Sequence, residues 1–382
     1  MKIPSVSAGD LPRTAAWPTP RRLWSVRSRL TRPSTTVHTL DVGLAELFDL
    51  EPALDGSAGL AALGPDHCLA PRSYESRPFI DCTASNVLLT RAAKAVVAPG
   101  RGLIEEFNVG SREAWPRELL SHDFRHGLAD WKSAGRARVE YVPGVSVPFC
   151  HYGLAAFGHF VLDGLLQIYL NHRALTSGEA ILVHWPFEEA WMSDLIAQLD
   201  LPRTARRVLR KDAALLETAR LSSALAGHGV YFPAAYSLKF FDWLRERLVG
   251  TRTVPTSFKR LYIRRRAGGR RPVHDQDQLE GFLRGRGFEI LDPHAESVSR
   301  QAQRIAGADL LLSSWGSGLA LAPLLGGARR VLELTPETVT DVWFSRQAAV
   351  NGLRYTPIIH PSTDGSIRPN LPAIDQALGR LA

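Results

Sequence analysis

The stretch that decides the fold runs from Asp309 to Thr335, DLLLSSWGSGLALAPLLGGARRVLELT. Leu310-Leu311-Leu312 reads as a short buried strand. A turn of mostly small residues follows, Ser313-Ser314-Trp315-Gly316-Ser317-Gly318, then an apolar helical run, then a second buried strand, Val331-Leu332-Glu333-Leu334. This is a β-loop-α-β unit. Glycine lets a backbone approach a ligand closely. The start of the following helix would offer unpaired N–H groups and a positive dipole end to a phosphate. Taken alone, the turn is equally well a tight strand-to-helix connection, so its flanks carry the decision.

Downstream of Gly250 the strand–helix alternation is regular. Leu261-Tyr262-Ile263 predicts a strand and Asp275 to Leu283 a helix, with Asp275 and Gln278 spaced as a capping box. Gly287 ends that helix, Phe288 to Leu291 is a strand and Val298 to Ile305 a helix. Val342 to Val350 and Tyr355 to Ile359 supply a further helix and strand. Such alternation implies a parallel sheet with right-handed crossovers, whose ligands sit beyond the carboxyl ends of the strands. Ser313 to Gly318 lies at one such end and Arg264 to Arg271 at another.

Upstream, Asp41 to Arg138 is irregular and rich in Pro, Gly, Ser and Arg, with strand-like pieces such as Asn86 to Leu89. Arg138 to Cys150 reads as a strand with a turn at Pro143-Gly144. His151 to Leu170 has apolar residues at helical spacing. Ile181 to His184 and Arg207 to Leu209 read as strands, and Glu188 to Leu199 and Ala234 to Val249 as helices. Gly250 to Ser257, with Gly, Pro, Ser and Thr, reads as an interdomain linker.

A chain of 382 residues exceeds what one core usually supports. Two α/β domains are therefore expected: a basic leader over 1–40, an acceptor-side domain over 41–250, a Rossmann-like domain over 258–360 and a tail or helix over 361–382. Seven bases and one acid between Met1 and Pro33 place +6 of the +8 net charge in the leader. A solvated tail is the better reading of that segment. The alternative is weak attraction to an anionic membrane surface, helped by Leu23, Trp24 and Leu30. Nucleic-acid binding is disfavoured, because no basic strip interleaved with aromatics occurs in the body. No apolar run approaches a bilayer span, and no secretory signal is evident, which places the protein in the cytoplasm. Cys68, Cys82 and Cys150 form no paired motif, as expected of reduced thiols.

Three groups of residues could do chemistry. Arg264, Arg265, Arg266, Arg270 and Arg271 surround Gly268-Gly269 just after a strand. Arginine binds phosphate bidentately and keeps its charge. A solvated charge run is the usual reading of one such cluster, but its place at the same sheet edge as Ser313 to Gly318 favours a diphosphate. His159 and Asp163 are four apart and share a helix face, where the carboxylate can orient an imidazole for general base work. A pair satisfied by backbone groups has that spacing too. Asp275-Gln276-Asp277 points its acids to different faces and makes a poor chelate. No metal-ligand spacing, P-loop lysine or Gly-x-Ser-x-Gly elbow occurs.

In order along the chain, these pieces resemble glycosyltransferase family 61, which contains bacterial capsular-polysaccharide transferases and eukaryotic O-linked GlcNAc and xylosyl transferases. Gly158-His159-Phe160-Val161-Leu162-Asp163 resembles the family's histidine–three residues–aspartate motif. Leu261 to Arg266 with Arg270 and Arg271 resembles its strand and paired arginines, and Gly287-Phe288-Glu289 its Gly-Phe-Glu. Gln301, Ala308-Asp309, Gly316-Ser317-Gly318-Leu319 and Glu333 fall at its remaining positions. Trp315 stands where members usually carry His, Leu321 near an expected Asn, and His274 at another.

The resemblance implies a GT-B-like fold, two Rossmann-like domains with parallel sheets facing a cleft. It implies an inverting glycosyltransferase with a nucleotide-sugar co-substrate, no essential metal and no further cofactor, in bacterial capsular or surface polysaccharide biosynthesis. The acceptor is a glycan or a lipid-linked glycan. Catalysis falls to His159 and Asp163, with Asp163 or the pair as base. Donor binding falls to Arg265, Arg266, Arg270, Arg271, Ser314, Trp315, Gly316, Ser317, Gly318 and Glu333. The replacements at Trp315 and Leu321 keep open an alternative: a catalytically impaired GT-B-like protein that binds a nucleotide or glycan.

Overall fold

The computed structural model describes residues 23–24, 35–38, 47–49, 73–75, 81–91, 95–98, 102–104, 139–150, 152–222, 236–250, 259–266, 271–338, 343–362 and 366–380. Its strands are β1 (Leu23–Trp24), β2 (Thr35–His38), β3 (Leu47–Asp49), β4 (Ser73–Glu75), β5 (Asp81–Thr90), β6 (Ala95–Ala98), β7 (Gly102–Ile104), β8 (Val139–Pro148), β9 (Ile181–His184), β10 (Arg206–Val208), β11 (Ala213–Ser222), β12 (Arg260–Ile263), β13 (Phe288–Leu291), β14 (Leu310–Ser314), β15 (Arg330–Pro336) and β16 (Arg354–His360). The chain divides into two compact units, Met1–Leu44 with Arg77–Tyr231, and Ala45–Ser76 with Phe232–Ala382. Each unit is α/β with its own sheet, the division that a GT-B-like fold requires.

The first unit holds a sheet of order β1-β7-β6-β5-β11-β8-β9-β10, with β2 pairing β5. β11, β8, β9 and β10 form a parallel block, and β5 joins it antiparallel through β11. Two segments of the expected leader, β1 and β2, are strands of this sheet. β8 is followed by a short 3₁₀ turn and then by α1 (Phe157–His159), a π-helical turn Phe160–Gly164 and α2 (Leu165–Ser177), which leads into β9. The expected histidine motif thus opens the helix of a β-α-β crossover. α3 (Ala190–Ala197) follows β9.

The second unit is the regular one. Its sheet has the order β13-β12-β14-β15-β16 with every pair parallel. α4 (Tyr236–Leu248) precedes it, and α5 (Gln276–Arg284), α6 (Val298–Ala306), α7 (Trp343–Val350) and α8 (Leu371–Gly379) alternate with its strands. β13 lies on one side of β12 and β14 on the other, so the winding direction reverses there. The crevice beyond the carboxyl ends of β12 and β14 is the topological switch point, where ligands bind in open α/β sheets. Register sets Ile263 beside Ser313, so the arginine segment and the Ser313–Gly318 turn leave the sheet side by side.

Three local expectations are corrected. The apolar run after Gly318 is a 3₁₀ helix, Ser317–Leu324, containing Pro323. Proline lacks the N–H an α-helix needs in its interior, and the run is buried rather than amphipathic. The capping box is not made: Asp275 sits at φ 49 and its side chain makes no cap hydrogen bond. Finally, α4 belongs to the second unit, although it precedes the Gly250–Ser257 stretch expected to divide the domains. Phe240, Phe241, Leu244 and Leu248 are buried, and Arg245 donates to the carbonyl oxygens of Leu324 and Leu325. An apolar face decides which core a helix joins; residues 251–258 lie outside the described residues.

One ion-pair cluster fixes the base of the arginine segment. Arg264 donates from Nε and Nη2 to both oxygens of Glu280 on α5, at 2.6 and 2.9 Å, and from Nη1 to Asp292 at 3.4 Å. Glu280 is buried, and burial pushes its carboxyl up; the hydrogen bonds of Arg264 and Gln276 and the charges of Arg264 and Arg284 pull it below its ordinary value. Without Arg264 the buried carboxylate keeps only Gln276 and Arg284 as side-chain partners. Arg264→Ala should lower unfolding stability by about 2 kcal/mol, the worth of hydrogen bonds to a charged group, measured by urea denaturation.

Candidate active site

In the second unit the two loops at the switch point meet through one side chain. Arg265, next after Arg264, turns the other way and donates from Nη1 to the carbonyl oxygen of Trp315 at 2.7 Å. It can reach that oxygen because residue 316 is glycine: a Cβ built there would lie 2.4 Å from Nη1. Gly316 has φ 147, outside the region L side chains favour. Arg271 completes the group, its guanidinium carbon 4.1 Å from the centroid of the Trp315 ring, a cation–π arrangement. Arg271 has φ 118, uncommon backbone for a non-glycine residue.

The electrostatics of the two neighbouring arginines are opposite. Arg264 is raised above its ordinary value by the Glu280 hydrogen bonds. Arg265 is half-buried and has no carboxylate partner among the described residues, and burial followed by repulsion from Arg271 pulls it down to about 10. It remains charged at neutral pH. Two guanidiniums repelling each other over an aromatic ring form a site that a di-anion would complete.

The other donor-loop residues fall around this centre. Ser314 is buried at the end of β14, with Ser317 in the first turn of the 3₁₀ helix. Gly318 packs its backbone on Ile263 and Ser313, where a Cβ would meet atoms at 3.2–3.3 Å. Arg266 is exposed, and Arg270 lies outside the described residues. Glu333 is buried inside the sheet opposite Ser313, where it accepts from the Tyr355 hydroxyl. Leu321, near the family's expected Asn, is a buried core residue. His274 donates its backbone N–H to Ile367 O at 2.8 Å.

In the first unit His159 and Asp163 meet as their spacing predicts, Nδ1 to Oδ2 at 2.7 Å. The local backbone is less ordinary. Phe160 to Gly164 form a π-helical turn, all five buried; such turns occur frequently at functional sites. Gly164 makes it possible, since a Cβ there would lie 2.7 Å from the Phe149 ring and 2.8 Å from Leu154. Asp163 is fully buried while the His159 side chain keeps 14% of its surface. Oδ1 of Asp163 has no hydrogen-bond partner. Burial raises the Asp163 carboxyl to about 6, against the opposing pull of the His159 hydrogen bond. Above pH 6 the carboxylate accepts from Nδ1–H, which leaves the imidazole lone pair on Nε2.

The sequence reading missed an aromatic cavity beside this helix. Phe149 follows β8, Phe160 lies in the π-turn, and Trp185 and Phe187 follow β9. The rings of Phe149, Phe160 and Phe187 meet edge to face with centroids 5.3–5.9 Å apart. The only sequence signal was the density of aromatics after two strand ends. Cys150, a buried thiol outside any disulfide, adjoins them. Among the described residues no cluster of His, Cys, Asp and Glu could hold a metal ion, and no helix is long and apolar enough to cross a membrane.

Two α/β units, one with paired guanidiniums at its switch point and one with a histidine–aspartate pair, are the build of a GT-B-like glycosyltransferase. The family model described as Glycosyltransferase 61 matches residues 157–328, from the start of α1 to just before β15. That segment is a glycosyltransferase family 61 domain, and the protein is a glycosyltransferase. The match includes His159, Asp163, Arg265 and Trp315 and stops before Glu333. No curated protein matches the chain.

Two outcomes follow from this geometry. Asp163→Asn should remove a burden on the fold. With its folded value above the ordinary 3.8, the carboxyl supports folding below about pH 4, and that support is lost as pH rises through about 6. A shift of this size corresponds to about 3 kcal/mol, so the variant should melt higher than wild type at pH 8 and alike at pH 4, by calorimetry. Gly316→Ala should displace the Arg265 guanidinium and weaken the binding of pyrophosphate, as the probe di-anion, about tenfold or more by isothermal titration, with the melting temperature held.

Proposed function

We propose that the protein transfers a sugar from a nucleotide-sugar donor to an acceptor hydroxyl with inversion at the anomeric carbon. The observation that carries this reading is Arg265: a half-buried guanidinium without a carboxylate partner, at the switch point, repelled by Arg271. A leaving nucleoside diphosphate supplies the missing negative charge. As the bond from the anomeric carbon to the diphosphate oxygen breaks, its electron pair stays on the diphosphate, and the two arginines stabilise it. They can supply that positive charge without a divalent cation. Gly316, Ser317 and Gly318 keep the approach free of bulk, and Trp315 offers an aromatic face.

His159 is the base of the proposed reaction. The acceptor oxygen forms its bond to the anomeric carbon while its proton passes to Nε2 of His159. Asp163 accepts from Nδ1–H throughout and stabilises the imidazolium, a positioning role suited to a carboxylate that is itself fully buried. The setting we propose, from the resemblance to bacterial capsular transferases, is surface-polysaccharide assembly on the cytoplasmic side, with a glycan or lipid-linked acceptor.

Titration of the protein with UDP-, GDP-, CMP- and dTDP-sugars should give binding to one nucleotide class that survives EDTA, and Arg265→Met should weaken it about 10- to 100-fold. No binding to any of the four would end this reading. The rate of transfer should fall as pH drops through about 6, where Asp163 takes up a proton and ceases to hold the imidazolium. His159→Gln should abolish transfer and leave donor binding intact.

A further inference from the structure

The aromatic cavity of the first unit has a volume of about 90 Å³. Its walls are the rings of Phe149, Phe160, Trp185 and Phe187, and Arg91 and Glu188 are its charged members. The aromatic rings give a ligand nothing to hydrogen-bond, and the charged part of the lining is confined to Arg91 and Glu188. The Trp185 N–H is already donated to Lys211 O at 2.8 Å, and Phe187 is backed by the stacked ring of His184, 4.4 Å away, which burial keeps neutral. A sugar ring seated there would leave several hydroxyls unpaired, each costing more than its burial returns. A hydrocarbon carries no such penalty. An apolar cavity of about 150 Å³ admits benzene. At about 90 Å³, and taking a methylene as roughly the volume of a water, there is room for roughly three methylene groups.

The second observation is the charge at this place. Arg91 is exposed, its backbone N–H is held by Asp212 O, and among the described residues its guanidinium makes no hydrogen bond or ion pair. Glu188 has other interactions and does not pair with it. An unengaged cation beside an apolar cavity fits a molecule with a hydrocarbon chain and an anionic head.

We propose that this cavity binds the hydrocarbon chain of an anionic amphiphile, with Arg91 receiving its head group. The assignment deepens the acceptor role given to the first unit and rests on that reading. The same chemistry is offered by an acceptor carried on a lipid phosphate and by an anionic lipid of a membrane surface.

The test is isothermal titration of the full chain with octyl phosphate, with octyl glucoside and inorganic phosphate as controls. Octyl phosphate should bind more tightly than either. Ala155→Trp, which fills the cavity from an exposed wall position, should weaken it roughly 50-fold, the worth of three buried methylenes. Arg91→Ala should weaken it about tenfold and leave octyl glucoside unchanged. Equal binding of octyl phosphate to wild type and Ala155→Trp, or octyl glucoside binding as tightly as octyl phosphate, would overturn the proposal. Both variants should keep the wild-type melting temperature and the wild-type affinity for whichever of the four nucleotide classes binds. Absence of binding to all four in wild type would instead count against the donor reading. Vesicles separate the two sources: cosedimentation with phosphatidylglycerol but not phosphatidylcholine, lost in Ala155→Trp, assigns the site to membrane lipid. Octyl phosphate binding without cosedimentation assigns it to a carried acceptor.

Discussion

Everything at the switch point depends on one close approach, the Arg265 guanidinium lying against Gly316 under the carbonyl of Trp315. It ties the loop after β12 to the loop after β14. A half-buried cation costs free energy unless something negative completes it. Here a single neutral carbonyl is its protein partner, and Arg271 raises the cost. The structure stores an unmet charge where the doubly wound topology opens a crevice. Under the proposed function, an anionic ligand would both fill the site and relieve the repulsion.

Consecutive arginines divide the work. Arg264 faces back to Glu280 and Asp292 and anchors α5 to the end of β12. Arg265 faces forward to the ligand edge. A rigid first arginine makes the second precise, because the two are adjacent on one backbone. The same division appears in the first unit: Phe149 and Leu154 pack on Gly164 and hold the π-turn, and the turn holds Asp163 behind His159. In both places a glycine permits the contact, a buried charge is kept at a cost to stability, and the group left able to act is its neighbour. A carboxyl raised by burial and a guanidinium lowered by burial are signs of function over stability.

Much of the fold was legible. β12 to β16 are short apolar runs between periodic helices, and their bounds moved by a residue or two. Spacing put His159 and Asp163 on one helix face and left open whether they pair with each other or with backbone groups; the structure makes the contact between them. What escaped was set by partners distant in sequence. β11, AALLETARLS, is rich in helix formers, yet it lies between β5 and β8 as a central strand. Pairing on both sides outweighs propensity. The 3₁₀ character of the run after Gly318 is not legible in the sequence, because burial hides the periodicity that distinguishes helix types. The cavity was invisible because its walls come from segments near residues 91, 149, 160 and 187.

By itself the sequence determined the α/β class, the parallel order of the second sheet's elements, and the arginine and histidine motifs, because hydrophobic period and short spacings are local properties. Only the tertiary structure decided which arginine pairs with a buried carboxylate and which turns to a backbone carbonyl, which member of the His159–Asp163 pair keeps access, and that α4 joins the second unit. Those outcomes depend on burial and on partners remote along the chain, and identical side chains such as Arg264 and Arg265 acquire different chemistry only when packing gives one a carboxylate and the other none.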